Sequence, residues 1–105
     1  MPLPDRLAFD DEHAPLYTVG QVAEILGVQP AFVRRLDTEE VVQPARSSGG
    51  QRRYTRHEIN RISAVSAMAG EGMTLPGIKR VLVLEAEVAA LQAKVDQLKA
   101  KLDKR

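Results

Sequence analysis

The chain has 105 residues and a formal net charge of +1, which suits one domain with short appendages. It contains no cysteine, so disulfides, thiolate metal sites and thiol redox chemistry are excluded on this chain. No apolar run approaches the roughly 18 residues of a membrane span, and no secretory signal opens the sequence. We therefore expect a cytoplasmic protein without a membrane partner.

Residues 1–15 form a polar and acidic segment that contains three prolines and shows no regular spacing of apolar residues. Such a composition buries too little apolar surface to offset the entropy cost of ordering the backbone. We predict a disordered N-terminal arm over residues 1–15.

Two short helices joined by a tight turn are predicted next. Thr18 is a candidate N-cap, and apolar residues over Val19–Leu26 recur at the i, i+3, i+4 and i+7 spacing of one helical face. Gly27 then fits a left-handed helix end. Gln29 and Pro30 open the second helix, since proline is favoured in a first helical turn. This is the helix-turn-helix pattern, whose second helix enters the DNA major groove in many regulators.

A basic segment follows, in which four arginines and no acid fall between residues 46 and 56. Ser47–Gly50 predicts a flexible turn, and Arg52, Arg53 and Tyr54 predict the returning strand of a short hairpin. A charge run is most often a solvated face. Directly after a helix-turn-helix, however, it predicts a wing that lies on DNA phosphates while the second helix reads the groove.

The second half of the chain is predicted to be helical. Thr55 and Glu58 have capping-box spacing at the start of a third helix that runs to Ala69, and Thr74 caps a fourth helix. From residue 81 onwards, apolar residues recur in alternating steps of three and four, the heptad spacing of a coiled-coil seam. The seam residues are Val81, Leu84, Val88, Leu91, Val95, Leu98 and Leu102. We predict a dimer through this seam; the alternative is a long helix that packs against its own domain.

The charges beside the seam favour an antiparallel pair of helices. One register sets Glu85 opposite Lys99 of the second copy and Glu87 opposite Lys101, each twice by symmetry. A parallel pair would instead set Lys94 against Lys99 twice. Each exposed pair contributes only a few tenths of a kcal/mol. Valine at a with leucine at d favours a parallel dimer, so the two indications disagree; the charges carry more weight because that preference was defined among parallel coils.

The sequence resembles the MerR family of bacterial transcription regulators from Tyr17 to about Glu85, roughly two thirds of the chain. The wing signature Gly-x-Arg-x-Tyr is intact, and four other stretches are similar to family motifs in the first helix, the second helix, the turn after it and the end of the winged domain. The five stretches are Gly50–Tyr54, Tyr17–Gly20, Val33–Asp37, Glu40–Pro44 and Gly72–Ile78.

The resemblance implies a winged helix-turn-helix that dimerises through an antiparallel C-terminal coiled coil and binds inverted repeats near promoters. It further implies that Arg34 and Arg52 contact DNA and that Tyr54 supports the wing. Thr18 would meet a phosphate through its hydroxyl and the free amides of a helix N-terminus.

Three departures from the family pattern stand out. Arg35 and Leu36 occupy positions where the family has tyrosines, so the chemistry of the second helix differs. Glu40 replaces the usual glycine, so the turn after that helix is expected to be built differently. The chain also has neither the cysteines nor the length for a sensor domain, and it therefore resembles the short, HspR-like actinobacterial members without a C-terminal sensor domain.

We predict a mainly α fold, with a winged helix-turn-helix domain over residues 16–80 and a coiled-coil dimerisation helix over residues 81–105. The predicted function is sequence-specific regulation of transcription by a homodimer on inverted-repeat promoter DNA in the nucleoid, with RNA polymerase or a protein co-regulator as further candidate partners. The predicted DNA-binding residues are Thr18, Gln29, Arg34, Arg35, Arg46, Arg52, Arg53, Tyr54 and Arg56.

Two alternatives remain at this stage. One is a protein-interaction adaptor that recruits a partner through its coiled coil, and the other is an architectural DNA-binding protein with little sequence specificity. An enzyme is not expected, because the sequence shows no histidine–carboxylate–nucleophile set, phosphate loop or metal-ligand spacing. We accordingly predict no catalytic residue, no metal and no cofactor.

Overall fold

A computed structural model describes residues 11–104 of the chain. The described residues divide into two compact units, one ending at Gly72 and the other beginning at Met73. The helices and strands are α1 (Val19–Leu26), α2 (Pro30–Thr38), β1 (Ala45–Arg46), β2 (Arg52–Arg53), α3 (Arg56–Gly70) and α4 (Leu75–Asp103). The predicted mainly helical fold with a long C-terminal helix is thus confirmed.

The helix-turn-helix forms as the sequence predicts. A capping box opens α1, because the Gln21 N–H donates to the Thr18 hydroxyl at 3.2 Å and the Thr18 N–H donates to the Gln21 side chain at 2.9 Å. Gly27 ends α1 in the left-handed conformation, at φ 67°. Pro30 begins α2, and Gln29 is its N-cap residue without a side-chain capping bond. The two helices are therefore separated by a turn of only three residues.

The basic segment folds into the predicted hairpin. The two strands are antiparallel, with Ala45 opposite Arg53 and Arg46 opposite Arg52. Ser47 closes the turn, because its N–H donates to the Gln51 carbonyl at 2.7 Å and its own carbonyl accepts from the Gly50 N–H at 2.9 Å. Strands of two residues bury little of their own surface, so the hairpin needs support from the rest of the first unit.

The core of the first unit is small and aliphatic. Its fully buried side chains come from α1, α2, α3 and the loop before β1, together with one aromatic ring. Those side chains are Val22, Val33, Leu36, Val42, Tyr54, Ile62 and Val65. The start of α3 is fixed by the predicted capping box, in which the Glu58 N–H donates to the Thr55 hydroxyl at 3.1 Å. Val41, beside Val42 in the loop before β1, is also buried.

A single 29-residue helix, α4, makes up most of the second unit. It begins at a Thr74 cap, with the Gly77 N–H donating to the Thr74 hydroxyl at 3.2 Å, and at 1.5 Å per residue it is about 44 Å long. Leu75 and Ile78 are buried, whereas residues 83–104 are all exposed. None of the helices within residues 11–104 combines the length and apolarity required to cross a membrane.

Most of the segment predicted to be a disordered arm, residues 1–10, lies outside the described residues. The residues just after it form a turn, in which the Ala14 N–H donates to the Asp11 carbonyl at 3.1 Å. The His57 N–H, in the first turn of α3, donates to the Glu12 carbonyl at 2.9 Å. The ring of His13 lies 5.1 Å from that of His57. The turn therefore contacts the N-terminus of α3.

Glu40, in the turn after α2, adopts a conformation that normally belongs to glycine. Its φ is 58°, and within residues 11–104 it is the one residue other than glycine with a positive φ. The turn is fixed on both sides, because the Glu40 N–H donates to the Asp37 carbonyl at 3.0 Å and the Val41 N–H donates to the Leu36 carbonyl at 2.8 Å. The turn thus holds a glutamate in left-handed geometry, and the expectation that it is built differently from the family's turn stays a prediction.

Tyr54 attaches the hairpin to the rest of the first unit. Its N–H donates to the Tyr17 carbonyl at 2.7 Å, and its carbonyl accepts from the Tyr17 N–H at 3.0 Å. The side chain is 1% exposed, and its hydroxyl makes no hydrogen bond within the described residues. Burial raises the pKa of Tyr54 to about 12, with a further rise from Asp37 and an opposing effect of Arg52.

We expect Glu40→Gly to raise the free energy of unfolding by roughly 0.5–1 kcal/mol, because relief of the left-handed strain exceeds the extra entropy that glycine loses. Urea unfolding at fixed protein concentration measures this. Glu71→Gly is the matched control, since Glu71 directly follows α3 with φ −83° and gains no relief of strain from glycine. A less stable Glu40→Gly protein would show that the glutamate side chain stabilises the turn.

We expect the ionisation of Tyr54 to leave stability unaffected below pH 10 and to lower it as the pH rises from 10.0 to about 12. In that interval the unfolded chain releases the phenol proton while the folded chain retains it, so unfolding becomes more favourable. The full loss is roughly 3 kcal/mol. Urea unfolding across this range should show a steeper decline for the wild type than for Tyr54→Phe, and equal declines would assign the effect to other groups.

Candidate nucleic-acid interface

Five of the six arginines predicted to bind DNA lie on two elements of the first unit, α2 and the hairpin β1–β2. Arg34 and Arg35 are exposed on α2, and Arg46 and Arg52 are exposed on the two strands. Arg53 is half-buried on β2. The remaining predicted arginine, Arg56, is exposed at the first position of α3.

Two hairpin arginines are held by polar groups of the hairpin itself. Arg46 donates from Nη1 to the Gly50 carbonyl at 2.9 Å. Arg53 donates from Nη1 to the Arg52 carbonyl at 2.9 Å and from Nη2 to the Gln51 side chain at 2.8 Å. These bonds restrict both long side chains while leaving their net charge uncompensated. The hairpin therefore presents an ordered basic surface.

The third hairpin arginine joins the hairpin to α2. Arg52 donates from Nη2 to both carboxylate oxygens of Asp37, at 2.7 Å and 2.6 Å. The two residues are 15 apart in the chain, and Asp37 lies in the last turn of α2. Sequence reasoning missed the role of Asp37, because no local spacing signals an ion pair between residues so far apart.

The two arginines of α2 differ in their surroundings. Arg35 donates from Nε to the Glu39 carboxylate at 2.7 Å, an i, i+4 pair within the helix. The guanidinium of Arg34 makes no hydrogen bond or ion pair with any other side chain in the described part of the chain. Arg34 thus keeps all five of its N–H donors, whereas Arg35 keeps those of Nη1 and Nη2.

The buried phenol of Tyr54 lies beneath this surface. Its pKa is raised chiefly by burial, and the charges that also act on it include Asp37, Arg52 and Arg34. Arg34 of α2 and Arg52 of β2 both act to lower this pKa, against the effect of burial. Since Tyr54 is almost inaccessible, it supports the hairpin from below.

The two helix N-termini are the remaining predicted contacts in this unit. Thr18 uses its hydroxyl to cap α1, and Gly20 in the first turn is exposed. Helix geometry leaves the first amides of a helix without intrahelical acceptors, which makes such a terminus attractive to phosphate. Gln29 is exposed at the N-terminus of α2 and its side chain makes no capping bond.

The predicted dimerisation seam is a separate surface on α4. Val81 is half-buried, and the other six seam residues are between 42% and 66% exposed. Those six are Leu84, Val88, Leu91, Val95, Leu98 and Leu102. A row of large apolar side chains is therefore open to solvent over five turns of helix.

Within residues 11–104, no group of three or more histidine, aspartate or glutamate side chains is arranged to hold a metal ion. The chemistry available in the first unit is instead that of positively charged donors on two adjacent elements. Such a surface suits a polyanion, because arginine donates to phosphate oxygens in a forked geometry.

The sequence is similar to regulators of one family. The profile described as "MerR HTH family regulatory protein" matches residues 17–84. A protein of Streptomyces coelicolor described as "Putative heat shock protein HspR" is 38% identical over 81 residues, which make up 76% of this chain and 54% of that protein. This chain thus spans about half the length of HspR, as it does of other curated relatives. The predicted resemblance to HspR-like members is confirmed.

Two solved structures share the fold. The N-terminal part of MtaN, the Bacillus subtilis multidrug transporter activator, is 26% identical, with a TM-score of 0.57 over 84% of this chain and 92% of that one. HiNmlR, a MerR family regulator lacking the sensor domain and bound to promoter DNA, is 24% identical, with a TM-score of 0.55 over 83% and 82% of the two chains. These relatives are regulators rather than enzymes, as predicted. The chain therefore belongs to the MerR family of DNA-binding helix-turn-helix regulatory proteins.

Proposed function

We propose that this protein is a sequence-specific transcriptional regulator that binds inverted-repeat promoter DNA as a homodimer. The observation that carries the proposal is the basic surface formed by Arg34 on α2 and the arginines of the hairpin. The Asp37–Arg52 ion pair joins these two elements. The structure of HiNmlR bound to promoter DNA supports it, because that protein shares the fold.

In this proposal α2 enters the major groove and the hairpin acts as a wing on the phosphate backbone. Arg34 has a free guanidinium that matches the N7 and O6 acceptors of guanine. Arg46 and Arg53 are already fixed along the hairpin, where donors to phosphate position the protein without reading sequence. The amides at the start of α1 add a further phosphate contact.

The exposed seam of α4 supports dimerisation. Large apolar side chains repeat at heptad spacing and are up to 66% exposed, and such a stripe is stabilised in water when a second helix covers it. We propose that a second copy of the chain does so, with residues 16–80 binding DNA and residues 81–105 forming the coiled coil.

An antiparallel arrangement fits the charges that flank the seam. With the pair centred near residue 93, Glu85 faces Lys99 of the second copy and Glu87 faces Lys101, each twice. These four side chains lie in the exposed part of α4. Two half-sites of an inverted repeat would then be bound by two domains related by a two-fold axis.

The function is tested by selection from a randomised duplex DNA pool with the purified protein at about 150 mM salt, where non-specific binding is weak. We expect an inverted repeat with a defined half-site spacing to be enriched. Enrichment of A·T-rich DNA without symmetry would indicate an architectural role instead. Salt-sensitive retention of all sequences alike would contradict specific regulation and favour the adaptor alternative.

Lys99→Glu tests the orientation of the coiled coil, because the two arrangements predict opposite signs. In an antiparallel dimer it places the new carboxylate opposite Glu85 of the second copy, twice by symmetry. This repulsion should weaken dimerisation by about three- to tenfold at low salt. In a parallel dimer the same change would face Lys94 and strengthen the dimer. Sedimentation equilibrium measures the dissociation constant.

Two further variants complete this test. Glu85→Lys combined with Lys99→Glu should restore the wild-type affinity, since the pair is exchanged rather than broken. Lys104→Glu makes the same charge change at a position away from the seam, and should alter dimerisation little. A tighter dimer in the Lys99→Glu protein would contradict the antiparallel arrangement.

A further inference from the structure

We propose that Asp37 is a positioning residue for DNA binding, which holds the guanidinium of Arg52 in the orientation that meets the phosphate backbone. This inference rests on the proposed function, because it concerns the same surface. It gives a role to a carboxylate that stands among arginines, where a negative charge alone would oppose the approach of DNA.

The geometry leaves two of the three guanidinium nitrogens of Arg52 free to donate. Asp37 receives both of its hydrogen bonds from one nitrogen, Nη2 of Arg52, at 2.7 Å and 2.6 Å. Within the described residues the Arg52 side chain makes no other hydrogen bond, so Nε and Nη1 keep their donors. An arginine has five N–H donors in a rigid fork, so it can bind a carboxylate on one side and a phosphate on another.

The two partners of the ion pair differ in their exposure to solvent. The Asp37 side chain is 24% exposed and the Arg52 side chain is 54% exposed. The carboxylate is thus the inner partner and the guanidinium the outer one. A ligand approaching from solvent meets the arginine first.

The pair also fixes the hairpin relative to α2. Tyr54 attaches the returning strand to Tyr17 through two backbone hydrogen bonds, and Asp37 attaches the neighbouring Arg52 to the last turn of α2. These two attachments together fix the distance between the hairpin and α2. Immobilising a long side chain at binding costs entropy. The Arg52 side chain is already held by Asp37 in the folded protein, so this cost is reduced.

The second arginine–carboxylate pair of this surface provides a contrast. Arg35 and Glu39 lie 2.7 Å apart within one helix, so that pair connects no second element. Removing its carboxylate takes away a negative charge without releasing a hairpin arginine. Glu39→Gln is therefore a matched control for Asp37→Asn.

The test measures dissociation constants for the selected operator duplex over a series of salt concentrations. We expect Asp37→Asn to weaken binding by about two- to tenfold, the range for one side chain that must be immobilised at binding. Glu39→Gln should leave binding unchanged or slightly tighter. Arg52→Ala should weaken binding and reduce the salt slope by about one, and adding Asp37→Asn to Arg52→Ala should cause no further loss.

The signs of these effects decide between the possible roles of Asp37. Binding by Asp37→Asn that equals or exceeds that of the wild type would overturn the proposal, because Asp37 would then only compete with phosphate. A loss that persists in the Arg52→Ala background would overturn it too, by showing a general effect on the fold; circular dichroism and melting temperature monitor that fold.

Arg52→Lys gives a test that leaves Asp37 in place. Lysine keeps the charge but is a single point donor, so it cannot offer separate edges to carboxylate and phosphate. We expect a loss of affinity, and full retention would contradict the proposal. If the wild type selects no DNA, the proposed function itself fails; if it does and Asp37→Asn is not weakened, only this inference fails.

Discussion

The basic surface of this protein depends on a buried tyrosine. A hairpin with two residues in each strand is not stable in water by itself, and its arginines cannot be buried to stabilise it. Tyr54 solves this problem, since its ring lies in the core while its backbone pairs with Tyr17. Within residues 11–104 the buried hydroxyl of Tyr54 has no hydrogen-bond partner, so the ring contributes to anchoring through its packing.

Around this anchor, the polar side chains divide into those that are paired and those that are available. Arg35 is paired along its own helix, Arg52 is paired across to α2, and Arg34 has no partner within the described residues. The pairs order the surface, whereas the unpaired guanidinium retains its full capacity to donate. The first unit suits a polyanionic ligand because paired and unpaired arginines lie together on α2 and the hairpin.

The second unit is stabilised in a different way from the first. The first unit encloses its own core, whereas most of α4 exposes an apolar seam on a single helix. Helices in proteins gain most of their stability by packing an apolar face against another element. The dimer proposed above would provide that packing, and it would also place two DNA-binding domains at a defined distance.

The helices, their caps and the hairpin were predictable from the sequence, because capping, glycine-dependent turns and helical periodicity are set by residues a few positions apart. The heptad spacing on α4 was visible for the same reason. Tertiary structure alone decided that Tyr54 is buried and that Asp37 binds Arg52. These features depend on how elements distant in sequence pack together, which local residue patterns do not encode.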